Sequence, residues 1–364
     1  MMRMREKYLD LFWSEVKRGR IFHWPLRLLG APLSSRCNRM LTGPLSVEIL
    51  LTWRCNANCE MCDYSGRAED PELSTGEIIG IIDELAGLGV GGVSLSGGEP
   101  FLRLDLFEIV RHAKRRNLLV QIATNGLLLD QRNAELLVET SVDVVTVSLD
   151  SPDPEIFSTI RGVPDIYNRV VRGIGHLAAS RKRQGGGPKV VISTIITGRT
   201  INDIPDLLEL SEGLGAQGLT LLTAQNVETI DNQLNESDTQ RLMNLFRYLL
   251  ARKEEGDRFL DNSAGYLQLM LSRLAGRCDN LRCFVPYTNL HIGPRGEVFP
   301  CSYHVGLNQP WGNIRESSIR DLWFSSEYQC QRRELLGCQR CSIYCHWELN
   351  LLLHKMFLPR LLKG

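Results

Sequence analysis

The chain has 364 residues, enough for one large domain and a smaller one, and its 43% hydrophobic and 23% charged residues are ordinary for a soluble globular protein. Lys+Arg and Asp+Glu balance at 42 each, so nothing global attracts nucleic acid, and none is expected as a partner. No run reaches the roughly 18–20 apolar residues that cross a bilayer, and Lys17, Arg18, Arg20 and Arg27 break every candidate signal-peptide core.

A cytoplasmic chain is therefore expected, with its thiols reduced, and eleven cysteines there read as metal ligands before disulfides. They cluster, three in 55–62 and seven in 278–345, with Cys37 alone.

Residues 1–46 form a basic amphipathic extension. Leu9, Phe12, Trp13 and Val16 share one helical face, and the first forty residues carry nine Lys/Arg against three Asp/Glu. From 47 to 225, short β-branched runs alternate with helical periodicity. Strands are predicted at Val47–Thr52, Gly92–Leu95, Leu118–Ala123, Val144–Leu149, Val190–Ile195 and Leu219–Leu222. Helices are predicted at Thr75–Leu88, Asp105–Arg116, Asp130–Glu139, Ile166–Arg183 and Asp203–Leu214. Six strand–helix units in series give an α/β fold with a parallel sheet, open or as a partial barrel, whose active site lies at the C-terminal strand ends.

Residues 226–277 read as a helical linker. A cysteine-rich unit follows over 278–346, with a hairpin of Asn289–Ile292 and Glu297–Phe299 around Pro294-Arg295-Gly296 and a helix over Ser317–Leu336. An apolar-basic tail, 347–364, ends the chain.

Four polar loops fall on the predicted rim. "LTWRCNANCEMCDY" follows strand one, "SGGEP" (Ser96–Pro100) strand two, "TNG" (Thr124–Gly126) strand three and "SLDS" (Ser148–Ser151) strand four. Gly87, Gly89 and Gly92 fit G-x-G-x-x-G, but they lead from helix into strand, the reverse of a dinucleotide fingerprint. The first loop spaces Cys55, Cys59 and Cys62 as C-x3-C-x2-C with no fourth ligand nearby. Three thiolates leave one position of a cluster open, as in catalytic metal sites; spacing alone also permits a zinc knuckle with a distant fourth ligand.

C-x3-C-x2-C after the first strand with G-G-E-P after the second resembles the radical S-adenosylmethionine (SAM) superfamily. The resemblance implies a partial (β/α)6 barrel and a [4Fe–4S] cluster on Cys55, Cys59 and Cys62, whose open iron binds SAM. It also implies that Gly97, Gly98, Glu99 and Pro100 meet the methionine amino group, and that Thr124, Asn125, Ser148 and Asp150 lie near ribose and the methionyl group. Arg161 would pair with the SAM carboxylate. Met61 stands where the family often has an adenine-packing aromatic, and Tyr64 or Trp53 would supply that ring instead. The implied chemistry is electron-driven cleavage of SAM to a 5'-deoxyadenosyl radical, which abstracts a hydrogen atom, with a flavodoxin- or ferredoxin-type electron donor.

In the C-terminal unit, spacing alone leaves a zinc ribbon and an iron–sulfur site equally open. Behind such a core, C-x12-G-x4-C followed by cysteines resembles the SPASM or twitch extension with auxiliary [4Fe–4S] clusters. That implies one auxiliary cluster on Cys283, Cys301 and two of Cys338, Cys341 and Cys345, or two clusters if Cys278 and Cys330 join. Such a cluster, expected near the barrel mouth, takes an electron from the substrate radical.

The leading expectation is oxidation or epimerisation of a small polar substrate such as a sugar or alcohol, because the stretch before strand one is too short for a leader-binding domain. Maturation of a ribosomal peptide is the alternative, and a non-catalytic electron-transfer protein is a third. Epimerisation would need a hydrogen donor, for which Cys37 and Cys330 are the spare thiols. The two basic apolar ends allow peripheral membrane contact. The seven histidines show no metal spacing and read as structural.

Overall fold

The computed structural model describes residues 23–37, 39–62, 64, 67, 71–223, 236–277 and 281–357. Cys278, the amphipathic face at residues 9–16 and the last residues of the tail lie outside them.

Strands β1 (Ser46–Thr52), β2 (Gly92–Gly97), β3 (Leu119–Thr124), β4 (Val144–Ser148), β5 (Lys189–Ile196) and β6 (Gly218–Thr223) lie side by side in chain order, all parallel. This is the wall of a partial (β/α)6 barrel, as the alternation of β-branched runs and helical periods implies. Period-two alternation sorts its faces. Val47, Ile49 and Leu51 on β1, and Val93 and Leu95 on β2, are buried against the helices. Glu48, Ser94, Ser96 and Gln121 point the other way, into the lumen. Each fully buried aliphatic side chain contributes about 1.5–3 kcal/mol, which fixes the register and therefore which residues reach the lumen.

Local signals start and stop the helices. Ser74 and Glu77 form a reciprocal capping box at helix Thr75–Gly87, and Asp130 and Asp153 cap helices Gln131–Glu139 and Pro154–Arg161. Between β6 and the cysteine-rich unit, helices Glu236–Glu254 and Ala264–Leu274 pack on each other.

The expected hairpin is present as β7 (Asn289–Ile292) and β8 (Glu297–Phe299), and β9 (Gly312–Asn313) extends it. Beyond the sequence reading, β7 also pairs in parallel with β1, Ser46 beside Asn289 and Glu48 beside His291. One sheet of order β6-β5-β4-β3-β2-β1-β7-β8-β9 thus joins the two units.

The single helix expected over Ser317–Leu336 is two, Ile319–Phe324 and Ser326–Leu335. Ser325 leaves the helix at ψ 151° and its hydroxyl accepts from the Tyr328 N–H, so a residue inside the apolar period instead caps a new helix. The chain closes with helix Tyr344–Phe357, which buries Trp347, Leu349 and Leu353 against helices His23–Cys37 and Ala264–Leu274. No helix among the described residues is long and apolar enough to cross a membrane.

Candidate active site

The rim loops converge as the strand order requires. Gly98 N–H donates to Thr52 O at 2.7 Å and Glu99 N–H to Arg54 O at 2.9 Å, so the G-G-E-P turn lies on the start of the cysteine loop. A Cβ on Gly98 would sit 2.2 Å from Arg54 O, and Gly97 holds φ +127°. Both glycines are required by this backbone contact.

Glu99 is fully buried, and its carboxylate accepts from Thr124 Oγ1 at 2.8 Å, Asn125 N–H at 2.8 Å and Phe101 N–H at 3.2 Å, tying the second loop to the third. Burial pushes it up to about 7 despite these donors. Pro100 opens the short 3-10 turn behind it.

Each sulfur of the loop accepts a hydrogen bond. Asn125 Nδ2 reaches Cys55 Sγ at 3.7 Å, Arg161 Nη1 reaches Cys59 Sγ at 3.7 Å, and Tyr64 N–H reaches Cys62 Sγ at 3.4 Å. Burial pushes the Cys55 thiol up despite its Asn125 donor, and three sulfurs gathered in one loop suit a positively charged metal group with one position left for a further ligand.

The loop backbone is held by helix Pro154–Arg161: Asn58 and Glu60 N–H donate to Arg161 and Ile160 O at 3.1 and 3.0 Å. Arg161 itself is fixed by Asp150, Nε to Oδ2 at 2.6 Å, and Asp150 Oδ1 accepts from Ile195 N–H at 2.9 Å. Both carboxylate oxygens of Asp150 are therefore occupied. Asn125 also donates to Asn56 Oδ1 at 2.8 Å, a loop partner the motif reading did not name. Ser148 ends β4, half-buried, and Met61 lies in the turn between the second and third thiols.

The two rings considered for adenine pack on each other, Trp53 and Tyr64 at 5.0 Å between centroids, in an apolar group with Leu50, Phe299 and Val305. Arg67 lies over both rings and donates to Val305 O at 2.8 Å, which latches the cysteine loop to the C-terminal unit.

That unit gathers a second thiol set. Cys283, Cys301, Cys338 and Cys341 line one cavity, with His304, His346, Trp347 and Asn350. Cys345 does not line it and is exposed on the first turn of helix Tyr344–Phe357. Burial and neighbouring thiols push Cys283 up to about 12, and Cys301 and Cys341 also up. Three thiols that burial holds out of the thiolate form, with Cys338 beside them, suit a bound group that supplies positive charge. Among the described residues no three His, Cys, Asp or Glu side chains close on a point as around a single ion. The thiols instead ring a space, an arrangement suited to a cluster more than to one zinc.

Cys55 follows the C-terminal end of β1. Cys283 precedes β7, whose Asn289 is level with Ser46, while Ser342, beside Cys341, accepts from Thr223 Oγ1 at the C-terminal end of β6 at 3.2 Å. The second thiol set therefore reaches from the N-terminal side of β1 to the C-terminal rim of β6. The spare thiols Cys37 and Cys330 are both exposed, and neither lines the cavity.

The profile of the radical SAM superfamily matches residues 49–211, and that of an iron–sulfur cluster-binding domain, SPASM, matches 283–342. The AdoMet-dependent heme synthase of Methanosarcina barkeri is 30% identical over 339 residues, 85% of this chain and 90% of that protein. The chain belongs to the radical SAM superfamily. It is a SPASM-type radical SAM enzyme that carries a [4Fe–4S] cluster with SAM and an auxiliary iron–sulfur site. A PqqA peptide cyclase of Granulibacter bethesdensis is 30% identical over 337 residues, 83% of each chain. In fold, the chain is similar to Streptococcus suis SuiB bound to precursor peptide SuiA, with a TM-score of 0.66, 18% identity, and coverage of 92% of this chain and 78% of that one.

Proposed function

We propose that this radical SAM enzyme is a maturase that oxidises a peptide, removing two hydrogens or their equivalent in a crosslink or decarboxylation. The supporting observation is an open three-thiol loop together with a separate four-thiol cavity, in a chain that aligns with a peptide cyclase over 83% of its length. When bound, the cluster and SAM supply a 5'-deoxyadenosyl radical able to take a hydrogen atom from an unactivated C–H bond.

The chain's own residues hold and insulate that chemistry. Cys55, Cys59 and Cys62 hold the cluster, while Arg161 and Asn125 set the charge at two of its sulfurs. Glu99 locks the SAM-side loops together. Cys283, Cys301, Cys338 and Cys341 hold a one-electron acceptor in the second cavity. Residues Gly97–Pro100, Thr124, Asn125 and Ser148 form the rim that SAM would meet. A flavodoxin- or ferredoxin-type donor delivers the starting electron.

The sugar or alcohol oxidation first expected from the sequence has less behind it, since the relatives aligned over most of the chain are a heme synthase and a peptide cyclase. A heme precursor is a second reading, favoured by the 90% coverage of the heme synthase. Anaerobically reconstituted protein with SAM and dithionite is tested against short peptides encoded beside its gene and against heme precursors. The expected result is 5'-deoxyadenosine with a peptide product lighter by two hydrogens or by a carboxyl group. Turnover of a heme precursor alone would overturn the peptide reading.

A further inference from the structure

One carboxylate on the lumen wall has a partner far away in the sequence. Glu48 of β1 faces the lumen with 31% of its side-chain surface open, and its Oε2 lies 2.9 Å from Nδ1 of His291 on β7, whose side chain is 4% exposed. Ser96 donates to Glu48 Oε1 at 2.6 Å from the other side. His291 Nε2 is buried with no hydrogen-bond partner among the described residues. Behind His291, the His346 ring stands edge-on at 5.8 Å between centroids, and His346 lines the four-thiol cavity. From its three sides the pair therefore meets Ser96 of β2, the lumen, and His346 of helix Tyr344–Phe357.

We propose that Glu48 and His291 are the proton acceptor of the oxidation, placed between the substrate lumen and the auxiliary site so that proton and electron leave the substrate toward the same end. The proposal rests on the oxidative reading above. In the balanced step, the substrate C–H bond gives its hydrogen atom to the 5'-deoxyadenosyl radical, forming 5'-deoxyadenosine. The substrate radical then loses one electron to the auxiliary [4Fe–4S] cluster and one proton to the pair, leaving a product two hydrogens poorer. One proton taken up by the pair offsets the charge of one electron added in the neighbouring thiol cavity, so uptake of the electron and of the proton are linked.

That linkage is measurable without substrate. The auxiliary cluster's midpoint potential is followed by anaerobic dithionite titration and electron paramagnetic resonance across pH, in wild type and in the Glu48→Gln, His291→Gln and His346→Gln variants. The potential is expected to fall as pH rises in wild type, and this shift to be lost in Glu48→Gln and in His291→Gln. Iron and sulfide counts identify variants with intact clusters, and a loss of the shift counts only in those. A pH-independent wild-type potential, or a shift that survives in both pair variants while His346→Gln abolishes it, overturns the proposal. Because no peptide enters the titration, failure to modify any peptide would fell the substrate reading and leave this result standing.

Discussion

The two cysteine regions are built by opposite rules. In 55–62, three sulfurs sit in one short loop, each accepting at least one hydrogen bond, and the loop carries no fourth ligand. In the C-terminal unit, four sulfurs come from three separate stretches of chain, and burial pushes the Cys283, Cys301 and Cys341 thiols up. The open set depends on neighbouring loops for its charge and leaves room for SAM. The closed set supplies all its own ligands and leaves room only for electrons. A sheet shared through β1 and β7 joins the units that carry them.

The sharpest way to break this contrast is to remove one thiol from each set. Cys55→Ala should reduce 5'-deoxyadenosine formation to background while about four irons remain per chain. Cys341→Ala should also lose about four irons, yet keep substrate-free SAM cleavage and lose product formation. Equal effects of the two variants on SAM cleavage would erase the distinction.

Next in size are the donors to the open set. Arg161→Ala and Asn125→Ala should each weaken cluster retention or SAM cleavage by about 10–100-fold, as for residues that orient metal ligands. No change in either would mean that the sulfur contacts at 3.7 Å are incidental.

Glu99 sharpens the comparison through pH. Its folded value, about 7, lies above its ordinary 4.5, so the native state holds the proton more tightly. Stability contributed by the protonated form is whole below pH 4.5 and is lost as pH rises toward 7. The loss is about 3 kcal/mol at most. Glu99→Gln should flatten melting temperature across that window, and an unchanged slope would contradict the assignment.

Gly98→Ala should cost about 1–3 kcal/mol in thermal or denaturant melts, because its Cβ meets a carbonyl oxygen that belongs to the sheet end. The smallest expected effect is Cys345→Ser, with iron content unchanged, since that thiol lies outside the cavity.

Much of this was legible along the chain. The six strands and their helices followed from β-branched runs and apolar periods, and the loop of Cys55, Cys59 and Cys62 with G-G-E-P marked the catalytic rim. What escaped was set by contacts between distant segments. The sequence left open which two of Cys338, Cys341 and Cys345 ligate, but helix Tyr344–Phe357 begins between the second and third and carries Cys345 away. Ser325 sat within a helical period and capped a new helix instead. Gly97 and Gly98, expected to meet the SAM amino group, also press on Thr52 and Arg54, a contact the motif did not reveal. Arg67, Glu48 and His291 belong to no motif; Glu48 and His291 meet across 243 residues only because β7 joins β1 in register. His304 and His346, read as structural, line the auxiliary cavity.

The central claim, one open and one closed cluster site, is tested most directly by counting iron, sulfide and zinc in the anaerobically purified protein. The account predicts about eight irons and eight sulfides per chain with no zinc, and about four irons when Cys55, Cys59 and Cys62 are all replaced by alanine. About four irons with one zinc per chain would contradict it, making the C-terminal unit a zinc ribbon.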